Sequence, residues 1–277
     1  MIKIFLSCRN RLAITCKCIT AIKKHSKLPN QIYIYDNASN YKIEEHFMYW
    51  SILYKNKLIS QVTITSEDST FHAFSKATTS NLFGLQHMQD PKKNNYDYLL
   101  FLDNDVIVTP GFDEILKNAW DDVNKLGWDH IKLISQKKSG IQNKKDISEK
   151  IAGLNAITGN LGGSCLWSVR PNFFEDVGLL DLSKLVGYDK KHDQHYWQLL
   201  EKSSGGKDYI LGVDSHLGIH CGGKISGSVC NTLTRNHLNK NKYNMIKFEE
   251  QDKKIDSMTF DYFYNMIIQD KELLDGW

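Results

Sequence analysis

Tyr98-Leu99-Leu100-Phe101-Leu102-Asp103-Asn104-Asp105 is the stretch on which the reading turns. Five strongly apolar residues read as a buried β-strand, and the strand stops abruptly at two carboxylates one residue apart. Val106-Ile107-Val108-Thr109-Pro110-Gly111 follows at once. Asp and Asn are favoured in turns, so a plain turn is the simplest account of the polar triplet. Set at the end of a buried strand, however, Asp103 and Asp105 can both approach a hard divalent cation. Such a cation would neutralise a diphosphate and help it depart as a leaving group.

Working outward, the chain alternates strand and helix. Ile2–Ser7 is a short apolar run closed by Cys8-Arg9-Asn10-Arg11, and Leu12 to Lys24 carries apolar residues at helical spacing. Gln31-Ile32-Tyr33-Ile34-Tyr35 is rich in β-formers and ends at Asp36-Asn37-Ala38-Ser39. Strand, helix, strand implies a right-handed parallel unit. A further strand is expected at Val62–Thr65 and a helix from Ala73 to Met88. The fold expected is therefore α/β, with a mainly parallel central sheet flanked by helices. Ligands of such sheets sit beyond the carboxyl ends of the strands. Ser7–Arg11, Asp36–Ser39 and Asp103–Asp105 should then share one rim.

Later in the chain, the lysine-rich stretch Gln136–Lys150 reads as an exposed loop. Cys165–Val169 and Tyr209–Val213 read as extended, Asp193–Leu200 as helical, and the tail from about Lys247 as an amphipathic helix. With 277 residues, 41% hydrophobic and 24% charged, the chain has ordinary globular composition. No uncharged stretch approaches the ~20 apolar residues needed to cross a bilayer. The six cysteines show neither CxxC spacing nor a dense disulfide framework, which suits free thiols in a reducing cytoplasm. A net charge of +3 permits a polyanionic partner without requiring one.

Taken in order, these segments resemble family 2 glycosyltransferases of the GT-A fold, the nucleotide-diphospho-sugar transferase fold. Ile4–Arg11 looks like the family's first strand and donor loop, and Ile32–Ser39 its second strand. Asn81, within Ser75–Gly84, falls where the family has an Asn-bearing helix. Gly162-Gly163-Ser164-Cys165-Leu166-Trp167, with Phe174 and Val177–Asp181, is similar to the acceptor-side segment. Lys191-His192-Asp193-Gln194-His195 stands in place of an acidic pair, and Gly218-Ile219-His220 in place of a late histidine.

The resemblance implies roles. The donor would meet Ser7, Arg9, Arg11, Asn81, Asp103 and Asn104, with Asp36 on the nucleotide base. Asp103, Asp105 and His220 would bind Mn2+ or Mg2+. Gly162, Gly163 and His192 would face the acceptor, and Asp193 would be the general base of an inverting transfer. His192 departs from the family, which has an acid there. The donor expected is a UDP-sugar. The domain would span 1–223, and 224–277 would form a partly helical extension with acceptor contacts.

Plainer readings exist for several of these residues: His220 as a core histidine, Asp193 as a helix first-turn acid, and Gly162 and Gly163 as turn residues. An inactive carbohydrate-binding module is the chief alternative function. A metal-dependent phosphohydrolase is suggested by His192-Asp193-x-His195, but such proteins are helical. The acceptor is open between a surface glycan and a hydroxymethylated base in phage DNA. For DNA, the acid-free basic run Lys224–Lys247 would supply phosphate contacts.

Overall fold

The computed structural model describes residues 1–8, 10–37, 39, 42–64, 72–137, 141–160, 165–181, 190–221, 250 and 252–270, with the side chains of 72–78 and 190–195 outside that description. The strands are β1 (Ile2–Cys8), β2 (Asn30–Asp36), β3 (Gln61–Ile64), β4 (Tyr98–Asp103), β5 (Val106–Val108) and β6 (Leu133–Gln136). They continue as β7 (Gln142–Asp146), β8 (Ala156–Asn160), β9 (Leu166–Val169), β10 (Ile210–Val213) and β11 (Gly218–His220). The helices are α1 (Leu12–His25), α2 (Ile43–Lys55), α3 (His72–Met88), α4 (Phe112–Lys125), α5 (Phe173–Val177), α6 (Lys190–Ser203) and α7 (Phe260–Gln269).

Nine strands form one sheet in the order β3-β2-β1-β4-β9-β6-β10-β8-β7. The block β3-β2-β1-β4 is parallel throughout. Only β9 and β8 run against the other strands of the sheet. The register decides the functional geometry. Ser7 lies opposite Asp103, and Cys8 opposite Asp36, so the polar ends of β1, β2 and β4 do share one rim.

Strand periodicity divides the apolar residues between two cores. Ile2, Ile4, Leu6 and Cys8 of β1, with Tyr98, Leu100 and Leu102 of β4, face α1 and α4. Phe5, Leu99 and Phe101 face the opposite side, with Phe83 of α3, Phe173 and Phe174 of α5, and Tyr196 and Leu200 of α6. Helix α4 shows why such a segment is helical. Leu116, Ala119, Trp120 and Val123 are buried at helical spacing, with Asp113 and Glu114 in the first turn and Lys125 in the last.

One expectation changes. The lysine-rich 136–150 stretch is not a loop throughout. Gln136 closes β6, and Gln142–Asp146 pairs antiparallel with β8 as the outermost strand, all five residues exposed. Charged side chains on an edge strand blunt sheet-to-sheet pairing, and that is why the composition resembles a loop. The tail, where it is described, packs its apolar face into the sheet's core. Ile255, Phe263 and Ile267 are buried in the α1-side core, and the Asp252 carboxylate accepts from Ala13 N–H at 3.1 Å. The boundary at 223/224 and the basic run that follows it lie outside the described residues.

Candidate active site

Beyond Cys8 the chain leaves β1 through a strained turn. Asn10 (φ 55°) and Arg11 (φ 60°) are both in the left-handed region, uncommon for residues with a Cβ. The turn is tied down on each side. Asn10 N–H donates to Ser39 Oγ at 2.8 Å, and Thr15 Oγ–H donates to the Arg11 carbonyl at 2.9 Å. Asn104 Nδ2 in turn donates to Thr15 Oγ1 at 2.8 Å. The middle residue of the Asp103–Asp105 triplet therefore braces the turn that presents Arg11. Its carboxamide points inward and is buried.

Arg11 Nη2 donates to Asp105 Oδ2 at 2.5 Å, and both side chains are buried. The same oxygen faces His220 Nε2 at 3.3 Å. His220 arrives because β11 pairs antiparallel with β5, setting it opposite Val106, and Cys221 N–H donates to the Asp105 carbonyl at 2.8 Å. Burial alone would raise the Asp105 carboxyl. The Arg11 charge and the His220 contact outweigh it and hold the group well below the usual carboxylate range. Burial likewise opposes a charged His220, but hydrogen bonds to Asp105 and Cys165 win and push its pKa up to about 10. Arg11, Asp105 and His220, 94 and 115 residues apart in turn along the sequence, thus make one charged cluster. Asp103 stands beside it, half-buried, its N–H donating to the Cys165 carbonyl at 3.0 Å.

Ser7 and Asp103 also edge a cavity between the sheet and helices α3 and α6. Phe83, Phe101, Trp167, Tyr196 and Trp197 supply most of its apolar wall, and Thr79 and Ser80 a polar strip. It has about 40 Å³ of room for the centres of water-sized molecules. Tyr196 hydrogen-bonds Ser80, tying α6 to α3. Asp193 lies one helical turn before Tyr196; its side chain and that of His192 lie outside the described residues, as do Arg9, Gly162 and Gly163.

Asp36 and Asn81 both make contacts within the protein. Asp36 is 1% exposed, and both of its oxygens accept from protein donors. Ser39 N–H (3.2 Å) and Ser39 Oγ–H bond one oxygen; Trp50 Nε1 (2.9 Å) and His46 Nδ1 (3.2 Å) meet the other. Burial pushes the carboxyl up, but these contacts prevail and hold it below its ordinary value. The Asn81 carboxamide is spent on Leu180, donating to its carbonyl at 2.8 Å and accepting from its N–H at 2.9 Å. His46, Trp50, Thr15 and Cys165 are the participants that the sequence reading did not single out. The four-residue spacing of His46 and Trp50, one helical face of α2, is the only local sign that they act together.

The carboxylates of Asp103 and Asp105 suit a hard divalent cation in kind. In this arrangement Asp105 is committed to Arg11 and His220. No group of three or more His, Cys, Asp or Glu among the described residues is placed to hold an ion.

The architecture is matched among solved structures. GalNAc-T7, crystallised with UDP, GalNAc and Mn2+, superposes with a TM-score of 0.50 at 11% identity, over 78% of this chain and 43% of that one. The fold is GT-A. Two other GT-A neighbours fall slightly lower. Staphylococcus aureus TarS 1-349 with UDP has a TM-score of 0.47 and 14% identity, over 78% of this chain and 57% of that one. The Pyrobaculum calidifontis mannosyltransferase PcManGT, with GDP-Man and Mn2+, has 0.49 and 9%, over 92% and 71%. This GT-A chain thus spans little more than half the length of TarS 1-349 and less than half that of GalNAc-T7. No protein-family model matches its sequence, and no curated protein does. No described helix is long and apolar enough to cross a membrane.

Proposed function

We propose that this GT-A chain is a glycosyltransferase that moves a sugar from a nucleoside diphosphate donor, a UDP-sugar by preference, to an acceptor hydroxyl. One observation carries the reading. At a single sheet edge, Ser7, Asp103 and the Arg11–Asp105–His220 cluster converge beside an aromatic-walled cavity. Cationic and carboxylate groups at strand ends suit a diphosphate and its ribose, and an aromatic wall suits the apolar face of a sugar. The nine-stranded sheet weighs against the phosphohydrolase reading, since proteins with that His-Asp cluster are helical.

In this reading Ser7 and Asp103 hold the donor at the mouth of the cavity. Asp193 takes the proton from the acceptor hydroxyl as its oxygen bonds to the anomeric carbon, and the nucleoside diphosphate leaves with inversion. A manganese or magnesium ion would supply countercharge to the diphosphate, and Asp103, Asp105 and His220 could serve as its protein contacts only after Arg11 leaves Asp105 and His220 gives up its proton. Gly162, Gly163 and His192 would border the acceptor, a glycan or a hydroxymethylated DNA base.

The test is a panel of UDP- and GDP-sugars scored for nucleotide release, with each acceptor class added in turn. Sugar transfer with release of one nucleotide per transfer is expected. Asp193→Asn keeps the size of the side chain, so it should retain donor binding and lose transfer by about 10²–10⁴-fold. Binding of sugars with no nucleotide release from any donor would favour the inactive binding module instead. Wild-type transfer by Asp193→Asn at saturating acceptor would remove Asp193 from the base role.

A further inference from the structure

We propose that Arg11, paired with Asp105, is a protein-borne counter-cation for the donor diphosphate, so that nucleotide binding persists when divalent cations are removed. The inference rests on the donor reading above and adds to it the source of the countercharge. A guanidinium stays charged throughout the physiological range and matches phosphate oxygens with its planar fork of N–H groups. Here that charge sits 2.5 Å from the carboxylate to which an incoming metal ion would have to bind. A divalent cation arriving alone meets a positive group already in place. A diphosphate meets an attractive one.

The placement is built into the fold. Arg11 and Asn10 hold left-handed backbone conformations, and such strain persists only where its surroundings enforce it. Ser39 holds Asn10, Thr15 holds the Arg11 carbonyl, and Asn104 holds Thr15. The turn that follows β4 thus supplies both the anionic partner of Arg11, Asp105, and the brace for its backbone, Asn104. On nucleotide binding the guanidinium exchanges one anionic oxygen for another, and no covalent bond changes.

Calorimetric titration of the full chain with UDP, in EDTA and in Mn2+, tests this. The wild type should bind UDP in EDTA, within about 10-fold of its affinity in Mn2+. Loss of a charge-assisted phosphate contact should weaken Arg11→Gln in EDTA by roughly 10-fold or more. The deficit should be smaller in Mn2+, and Arg11→Lys should recover part of it. Asp105→Asn releases Arg11 from its ion pair and should bind UDP in EDTA at least as tightly as the wild type. That variant keeps the test decisive if Arg11→Gln does not fold. UDP binding that vanishes in EDTA for both wild type and Asp105→Asn, and returns with Mn2+, would overturn the proposal and leave the donor reading standing. Absence of UDP and GDP binding under both conditions would overturn both.

Discussion

Asp36 ends β2 with a carboxylate that the protein itself uses up. Ser39, His46 and Trp50 surround it at 1% exposure, so its removal would strand several buried donors together. Each unsatisfied buried group costs about 1–3 kcal/mol. Asp36→Ala is therefore expected to lose roughly 2–4 kcal/mol of stability, read as a lower urea midpoint with an unchanged slope. The expected role at the nucleotide base makes a different prediction: unfolding would be unaffected while nucleotide binding disappeared. Measuring both on one variant separates them.

Helix α3 is the element that links the site to the rest of the domain. Ser80 bonds Tyr196 of α6, Asn81 clamps Leu180, and Gly84 lets the segment after α5 come close. A Cβ on Gly84 would lie 2.7 Å from both Leu179 Cδ2 and Phe174 Cδ1. Leu179 can yield at its tip. Phe174, 2% exposed among Phe101 and Phe173, has little room to turn. An exposed helical Gly→Ala change gains about 1 kcal/mol in propensity, whereas overpacking costs about 1–3 kcal/mol. Gly84→Ala should therefore be net destabilising. A raised melting temperature in that variant would show that α3 can move away from α5 without penalty.

For the folded chain in its entirety, these groups shape the dependence of stability on pH. Asp36 and Asp105 titrate below their ordinary values, so the stability they add is present above about pH 4 and is lost as the pH falls through their folded values. Asp252 acts in the opposite sense. Burial raises its pKa, so its favourable contribution belongs to the protonated form and fades as the pH rises from about 4. His220, raised to about 10, adds stability that is complete below about pH 6.5 and is lost as the pH climbs toward 10. Urea titrations across pH should show a decline below about pH 4. The difference between wild type and His220→Gln should be roughly 1.5–3 kcal/mol near pH 6 and shrink toward pH 10, as for a hydrogen bond to a charged group. A difference constant across that range would mean that His220 stabilises by packing alone.

The amino-acid sequence by itself determined the alternation of elements and the end of the sheet at which polar groups gather. Runs such as Ile2–Leu6 and Tyr98–Leu102 must be buried, and each stops abruptly where polar residues begin. Those are local properties, legible one segment at a time. Which partner each polar group would find was decided only by tertiary structure. Asp36 is taken by His46 and Trp50 because α2 folds back over β2, and Asn81 by Leu180 because Gly84 permits close packing. The exposed edge strand β7 was hidden by its lysines, since charge marks a loop and a sheet edge alike. Asp105 meets Arg11 and His220 because β4, the turn before α1 and the β5–β11 pairing converge, and hydrogen-bond partners 94 and 115 residues away leave no spacing to read.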